Sequence, residues 1–214
     1  MIARRLIRLG CVLAVALATV LATAAPASAH TRTHAKGTSS LAALLARDGS
    51  GFDHNWNDFD ITDNAVQAVL KAKPGSAVAV LADGTVPLTA FLPTDRAFRR
   101  LAHDLTGTWY KNEADVFGAV AGALGINTIE KVLLYHVVPG AAITYRTALR
   151  SNRAVLNTAL SGATIKVKVR CHALVSLRDN DPDSPNPYVV TANLNKGNVQ
   201  IAHGISRVLR PVNL

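Results

Sequence analysis

Residues 131–140 read KVLLYHVVPG, an apolar run with the pair Tyr135 and His136 embedded in it and Pro139-Gly140 directly after. Buried polar groups are costly unless hydrogen-bonded, so both side chains are expected to hold fixed partners elsewhere in the fold. A lone histidine on an apolar face is more often a structural device than a catalytic or metal-binding group. Upstream, Ile129, Val132 and Leu133 share one helical face. A helix is therefore predicted from Asn127 or Thr128 into this run, with Pro139-Gly140 ending it.

Further upstream, Pro93-Thr94-Asp95 switches the period from strand to helix, with Thr94 as the expected cap. Phe98, Leu101 and Leu105 form the buried stripe of that helix, and Arg96, Arg99 and Arg100 its exposed set. Gly107 breaks the pattern, and a further helix from about Glu113 carries Val116, Phe117, Val120 and Leu124. Residues 77–82 and 85–92 are β-prone and joined by Asp83-Gly84, which predicts a two-residue hairpin with Pro87 placing the second arm at an edge. An earlier helix starts near Thr62 or Asp63 and ends at Lys73-Pro74-Gly75. Before it, residues 52–60 read as a loop pinned by Phe52, Trp56 and Phe59, and Leu41, Leu44 and Leu45 make a short helical face.

Downstream the period becomes two. Residues 164–170 alternate Ile165, Val167 and Val169 with Lys166, Lys168 and Arg170, giving one core face and one basic face. That basic face reads first as solvation and edge protection, and second as a binding surface. Residues 179–187, DNDPDSPNP, form a loop, and 188–192, 198–202 and 205–209 read as closing strands.

At the start of the chain, Arg4, Arg5 and Arg8 precede the apolar run 11–24 and the small-residue signature Ala27-Ser28-Ala29. This is expected to be a secretory signal peptide over residues 1–29, followed by a flexible polar leader over 30–40 and one domain over 41–214. The reading implies a secreted, extracellular product, free or cell-wall associated, with no transmembrane segment after the signal peptide. The formal charge is +9, and loss of the three leading arginines lowers it to +6. The basic residues are scattered without interleaved aromatics, so no nucleic-acid groove is expected. Cys171 is the one cysteine beyond the signal peptide, which excludes an intrachain disulfide, and it reads as a buried small hydrophobe.

Three segments in fixed order resemble the fasciclin-type domain of extracellular adhesion proteins. They are 89–98, TAFLPTDRAF, with Pro93, Thr94, Asp95 and Phe98; 134–140, LYHVVPG, with Tyr135, His136, Pro139 and Gly140; and 197–211, GNVQIAHGISRVLRP, with His203. Ser206 stands where the family's closing segment usually has an aspartate. The resemblance implies an α+β fold, a compact domain with a small β-sandwich wedge and helices wrapped around one part of it. It also implies a non-catalytic module of cell adhesion, working by protein–protein or surface interaction with an unknown cell-surface, cell-wall or matrix partner. Tyr135 and His136 carry over as candidate binding residues, because the family's Tyr-His region is implicated in receptor contact. Some relatives bind pigments or lipids, so the rival reading is a carrier of a small apolar ligand in a pocket between helices and sheet.

No catalytic residues and no cofactor are expected. Gly-x-Ser-x-Gly and Ser-x-x-Lys do not occur, and the neighbours Cys171 and His172 would face opposite ways on a strand. Asp53-x-Asn55-x-Asn57 starts like a calcium loop, but Asp58 replaces the turn glycine at its sixth position and Asn64 the glutamate at its twelfth, so no metal site is expected. If cleavage follows Ala29, His30 with its free amine could chelate copper beside His34; a disordered leader is the simpler reading.

Overall fold

The computed structural model describes residues 35–49 and 51–214. The expected signal peptide, His30 and His34 lie outside the described residues.

Residues 88–93 form the strand β1 (Leu88–Pro93), which is buried along its whole length. It pairs in parallel with β7 (Gln200–Ile205) and antiparallel with the short β2 (Val137–Pro139), and β6 (Val189–Leu194) closes the other side of β7. A second, antiparallel sheet contains β3 (Val155–Asn157), β4 (Thr164–Arg170) and β5 (Leu174–Arg178). Phe91, Val138, Ile205, Ile165, Val167 and Leu177 fill the space between the two sheets. On the opposite face of β1, Leu88, Ala90 and Leu92 meet α1 (Leu41–Leu45) and α2 (Asp60–Ala72). Alternate residues of one strand thus feed two cores, as a period of two requires.

The helical layer is completed by α3 (Asp95–Thr106) and α4 (Glu113–Tyr135), with α5 (Tyr145–Arg150) beside the second sheet. Gly125 breaks α4 at φ 69° and ψ 162°, so the two helices expected here meet at a kink. By length and composition alone α4 could cross a membrane, yet Val116, Val120 and Val132 pack into the core with Phe98 and Leu101. The result is the expected α+β architecture, with helices on one side of a two-sheet wedge.

Several local expectations are corrected. Residues Ala77–Ala82 form a 3₁₀ helix, because the Ser76 hydroxyl accepts the Val78 N–H at 3.2 Å and Val78 and Leu81 bury at a spacing of three. Asp83-Gly84 is therefore no hairpin. The Asp83 carboxylate accepts the Thr85 N–H, and a Cβ on Gly84 would stand 1.8 Å from the Thr38 carbonyl oxygen. Pro87 precedes an inner strand rather than an edge, since β1 lies between β2 and β7. Helix α4 ends at Tyr135, before Pro139-Gly140, because Val137–Pro139 is drawn into the sheet against β1. Residues 205–209 supply the end of β7 and an irregular turn, not a third closing strand. Cys171 and His172 have φ 49° and 56° in the turn between β4 and β5, and Cys171 is exposed. Arg99 donates to the Tyr110 carbonyl and Arg100 to that of Ser206, each at 2.7 Å, which leaves Arg96 as the exposed arginine of α3.

Of the polar leader, Gly37 bridges to Asn198, the Ser39 N–H bonds to the Asn198 side chain, and Asn195 donates to the Ser39 carbonyl. The Gln200 side chain accepts the Leu41 N–H at 2.8 Å and donates to the carbonyls of Val80 and Asp83. One buried amide thus holds the chain start and the 3₁₀ helix to β7.

Candidate functional site

The pair Tyr135 and His136 sits where α4 hands over to β2. His136 is 4% exposed and Tyr135 fully buried. The His136 Nδ1–H donates to the Val132 carbonyl at 2.7 Å, and its Nε2 accepts the Leu209 N–H at 2.9 Å. These partners require the neutral ring with the proton on Nδ1. Burial drives its pKa down from 6.5 to about 4. The Tyr135 hydroxyl donates to the Thr164 carbonyl at 2.8 Å, joining the helix end to the second sheet. Both residues are internal braces, and in this arrangement a partner at the surface does not reach them.

His203 is a second internal brace of opposite tautomer. Its Nε2–H donates to the Ile143 carbonyl at 2.9 Å, and Nδ1 accepts the Asn193 N–H at 3.2 Å. Burial also lowers its pKa. Phe98 anchors α3 in the helical core, and Pro139-Gly140 turns the chain with the Gly140 N–H on the Pro87 carbonyl at 2.8 Å.

Thr94 is the cap residue of α3, but its hydroxyl makes no cap bond. The neighbouring Asp95 instead caps a different helix: its carboxylate accepts the N–H groups of Ile61 at 2.8 Å and Asp60 at 3.2 Å. That is why α2 begins at Asp60 and not at Thr62 or Asp63, whose expected cap was local. Thr62 donates to the Pro93 carbonyl. Around Asp95 stand Asp53, Asp58, Asp60 and Glu113. Burial, then the nearby Asp58 carboxylate, raise Asp60 to about 6. Burial and Asp58 likewise raise Asp95, to about 9.

The accessible site lies on the second sheet. Arg153, Lys166, Lys168 and Arg178 are exposed and line a groove of about 620 Å³ that Asp179, Asn180 and Asp181 close at one end. Lys166 stands directly opposite Arg178 across β4 and β5. Like charges so placed repel, and none of the four cations makes an ion pair among the described residues. Asp181 is engaged with Arg210 at 3.1 Å, and Asp179 with the Arg210 N–H at 2.9 Å. The groove therefore presents an excess of positive charge. The alternating lysines were legible in sequence; Arg153 and Arg178 join them only through strand pairing.

Two interior voids are small. The one between β1 and helices α2, α3 and α4 measures about 30 Å³ and the one between the sheets about 50 Å³. Pockets for drug-sized ligands run to roughly 300 Å³ or more.

The folded chain is thus an α+β domain with histidine braces inside and an open basic groove outside. It belongs to the fasciclin domain family, whose model matches residues 62–211. Fasciclin domains are generally adhesion-related modules, so membership makes this chain an interaction module at a coarse level. Among solved structures it is similar to a FAS1 domain pair from the insect cell adhesion molecule fasciclin I. That match has 16% identity and a TM-score of 0.44, and it covers 69% of this chain and 46% of that one. The chain thus spans under half of that domain pair. No curated protein matches.

Proposed function

We propose that the protein is a secreted, non-catalytic interaction module that binds an anionic polymer of the cell surface, cell wall or matrix through the basic groove of β3, β4 and β5. One observation carries the reading: four exposed cations converge on one groove without counter-charges of their own. An acidic polymer offers the missing charge, and releasing its counterions adds a salt-dependent driving force. The carrier reading is not favoured, because the enclosed voids between helices and sheet and between the two sheets, about 30 and 50 Å³, fall well short of the roughly 300 Å³ from which ligand pockets start.

The test is retention of the purified protein on envelope polymers of its source at low and high salt. Retention is expected to fall steeply with salt and to be lost in Lys166→Glu with Arg178→Glu, while the melting temperature stays unchanged. Retention indifferent to both salt and the double substitution would sink the reading.

A further inference from the structure

Three helices begin at one place. Asp60 is the first residue of α2, Asp95 of α3 and Glu113 of α4, and Asp53 and Asp58 reach the same point from the loop before α2. Carboxylate oxygens of Asp53, Asp58 and Asp60 lie within 4.8 Å of one another, as do those of Asp58, Asp95 and Glu113, so Asp58 belongs to both sets. Among the described residues none of the five makes an ion pair. Each helix N-terminus supplies about +0.5 charge, together about +1.5 against five carboxylates. The helices leave most of the negative charge unbalanced.

Acidic residues at helix starts are common and mean little alone. Here the hydrogen bonding adds an independent observation. Glu113 is fully buried; its Oε2 accepts the His54 N–H at 2.9 Å, but Oε1 has no donor and no water contact. Asp60 is 4% exposed and its Oδ2 is likewise orphaned. The Asp58 oxygens are closed to solvent and have no partner other than the neighbouring Asp95 carboxyl. Buried acceptors are normally satisfied, so these orphaned oxygens, crowded among like charges, mark a missing positive species.

We propose that this pocket binds a calcium ion held by Asp58, Asp95 and Glu113, with Asp60 beside Asp58. The ligand set is all oxygen, which selects a hard cation. Oxygens within 4.8 Å of one another fit on a sphere of about 2.4 Å radius, the calcium–oxygen distance, and calcium accepts such an irregular carboxylate set more readily than magnesium, which demands near-ideal octahedral geometry. A surface groove of about 360 Å³ lined by Asn57, Asp58 and Asp60 gives the ion a way in. This site departs from the expectation of no metal. The ligands come from helix starts and, at Asp58, from the loop before α2, so the site is assembled in space and not by the calcium-loop spacing counted from Asp53.

The test uses the purified protein stripped with chelator. Terbium should bind and luminesce on excitation of tryptophan, since Trp56 lies in the ligand loop, and calcium should displace it. Saturating calcium should raise the melting temperature by on the order of 5 °C at a hundredfold excess over Kd. Asp58→Asn should abolish both effects, while the metal-free protein melts no lower than wild type because one repelling carboxylate is gone. Glu113→Gln, nearly isosteric, should weaken calcium at least tenfold and gives a second readout if Asp58→Asn fails to fold. The proposal is overturned if wild type shows neither terbium luminescence nor a calcium-dependent shift, as expected if a shared proton occupies the pocket. Equal responses to magnesium and calcium would overturn the calcium assignment, and a full response retained in both variants would overturn the site.

Discussion

His136 shows how one side chain can hold distant parts of a fold. Its ring takes a carbonyl from its own helix and an N–H from Leu209, 73 residues away. His136→Ala should orphan the Leu209 N–H and destabilise the protein by about 1–3 kcal/mol at pH 7, measured by urea unfolding. The cost should depend on pH. The unfolded ring takes up a proton near 6.5 and the folded ring only near 4, so acidification between these values favours unfolding. The ring's contribution, on the order of 3 kcal/mol by that difference, is present above pH 6.5 and lost as pH falls toward 4. The gap between wild type and His136→Ala should therefore shrink on acidification. The comparison must be made as a difference, because Asp60 and Asp95, with raised values, favour the metal-free fold more at low pH. A gap independent of pH from 7 to 4.5 would refute the assignment of the neutral ring.

At the scale of elements, glycine placement carries two tests. Gly125 adopts φ 69° and ψ 162° between the halves of α4, a region open mainly to glycine. Gly125→Ala should cost about 1–3 kcal/mol, visible as a lower melting temperature. Gly84→Ala should be at least as damaging for another reason: the added methyl meets the Thr38 carbonyl oxygen and pushes the segment around Gly37 away from residues 197–199. Loss of protection at the Gly37 and Val199 amides in hydrogen exchange would locate that damage, and unchanged protection would contradict it.

Helix α3 and strand β4 were legible because each has one strong period and a buried stripe. The hairpin at Asp83-Gly84 was misread because a tertiary approach, which sequence does not display, fixes that glycine. The turn at Cys171 and His172 was invisible for the converse reason: neither residue is a customary turn former, yet pairing of β4 with β5 forces both to positive φ. At the site, a polar pair in an apolar run announced the need for partners but could not name Leu209 or Thr164. The acidic pocket was hidden more thoroughly, since Asp58, Asp95 and Glu113 are neighbours only in space.

For the whole molecule, the decisive connection is the parallel pairing of β1 with β7, Leu88 beside Gln200 through Pro93 beside Ile205. A chain cut after Val199 should lack a protease-resistant core, because β1 loses its parallel neighbour, β6 loses its place in the sheet and the Gln200 amide no longer ties Leu41. A native near-ultraviolet spectrum from that truncated chain would contradict the inferred dependence. The same pairing has a temporal meaning. Strand β7, which lies beside β1 in the sheet, is the last of the described strands in chain order, so β1 and the helices packed on it lack that cover until β7 has been made. A domain that cannot close before β7 arrives stays threadable until then.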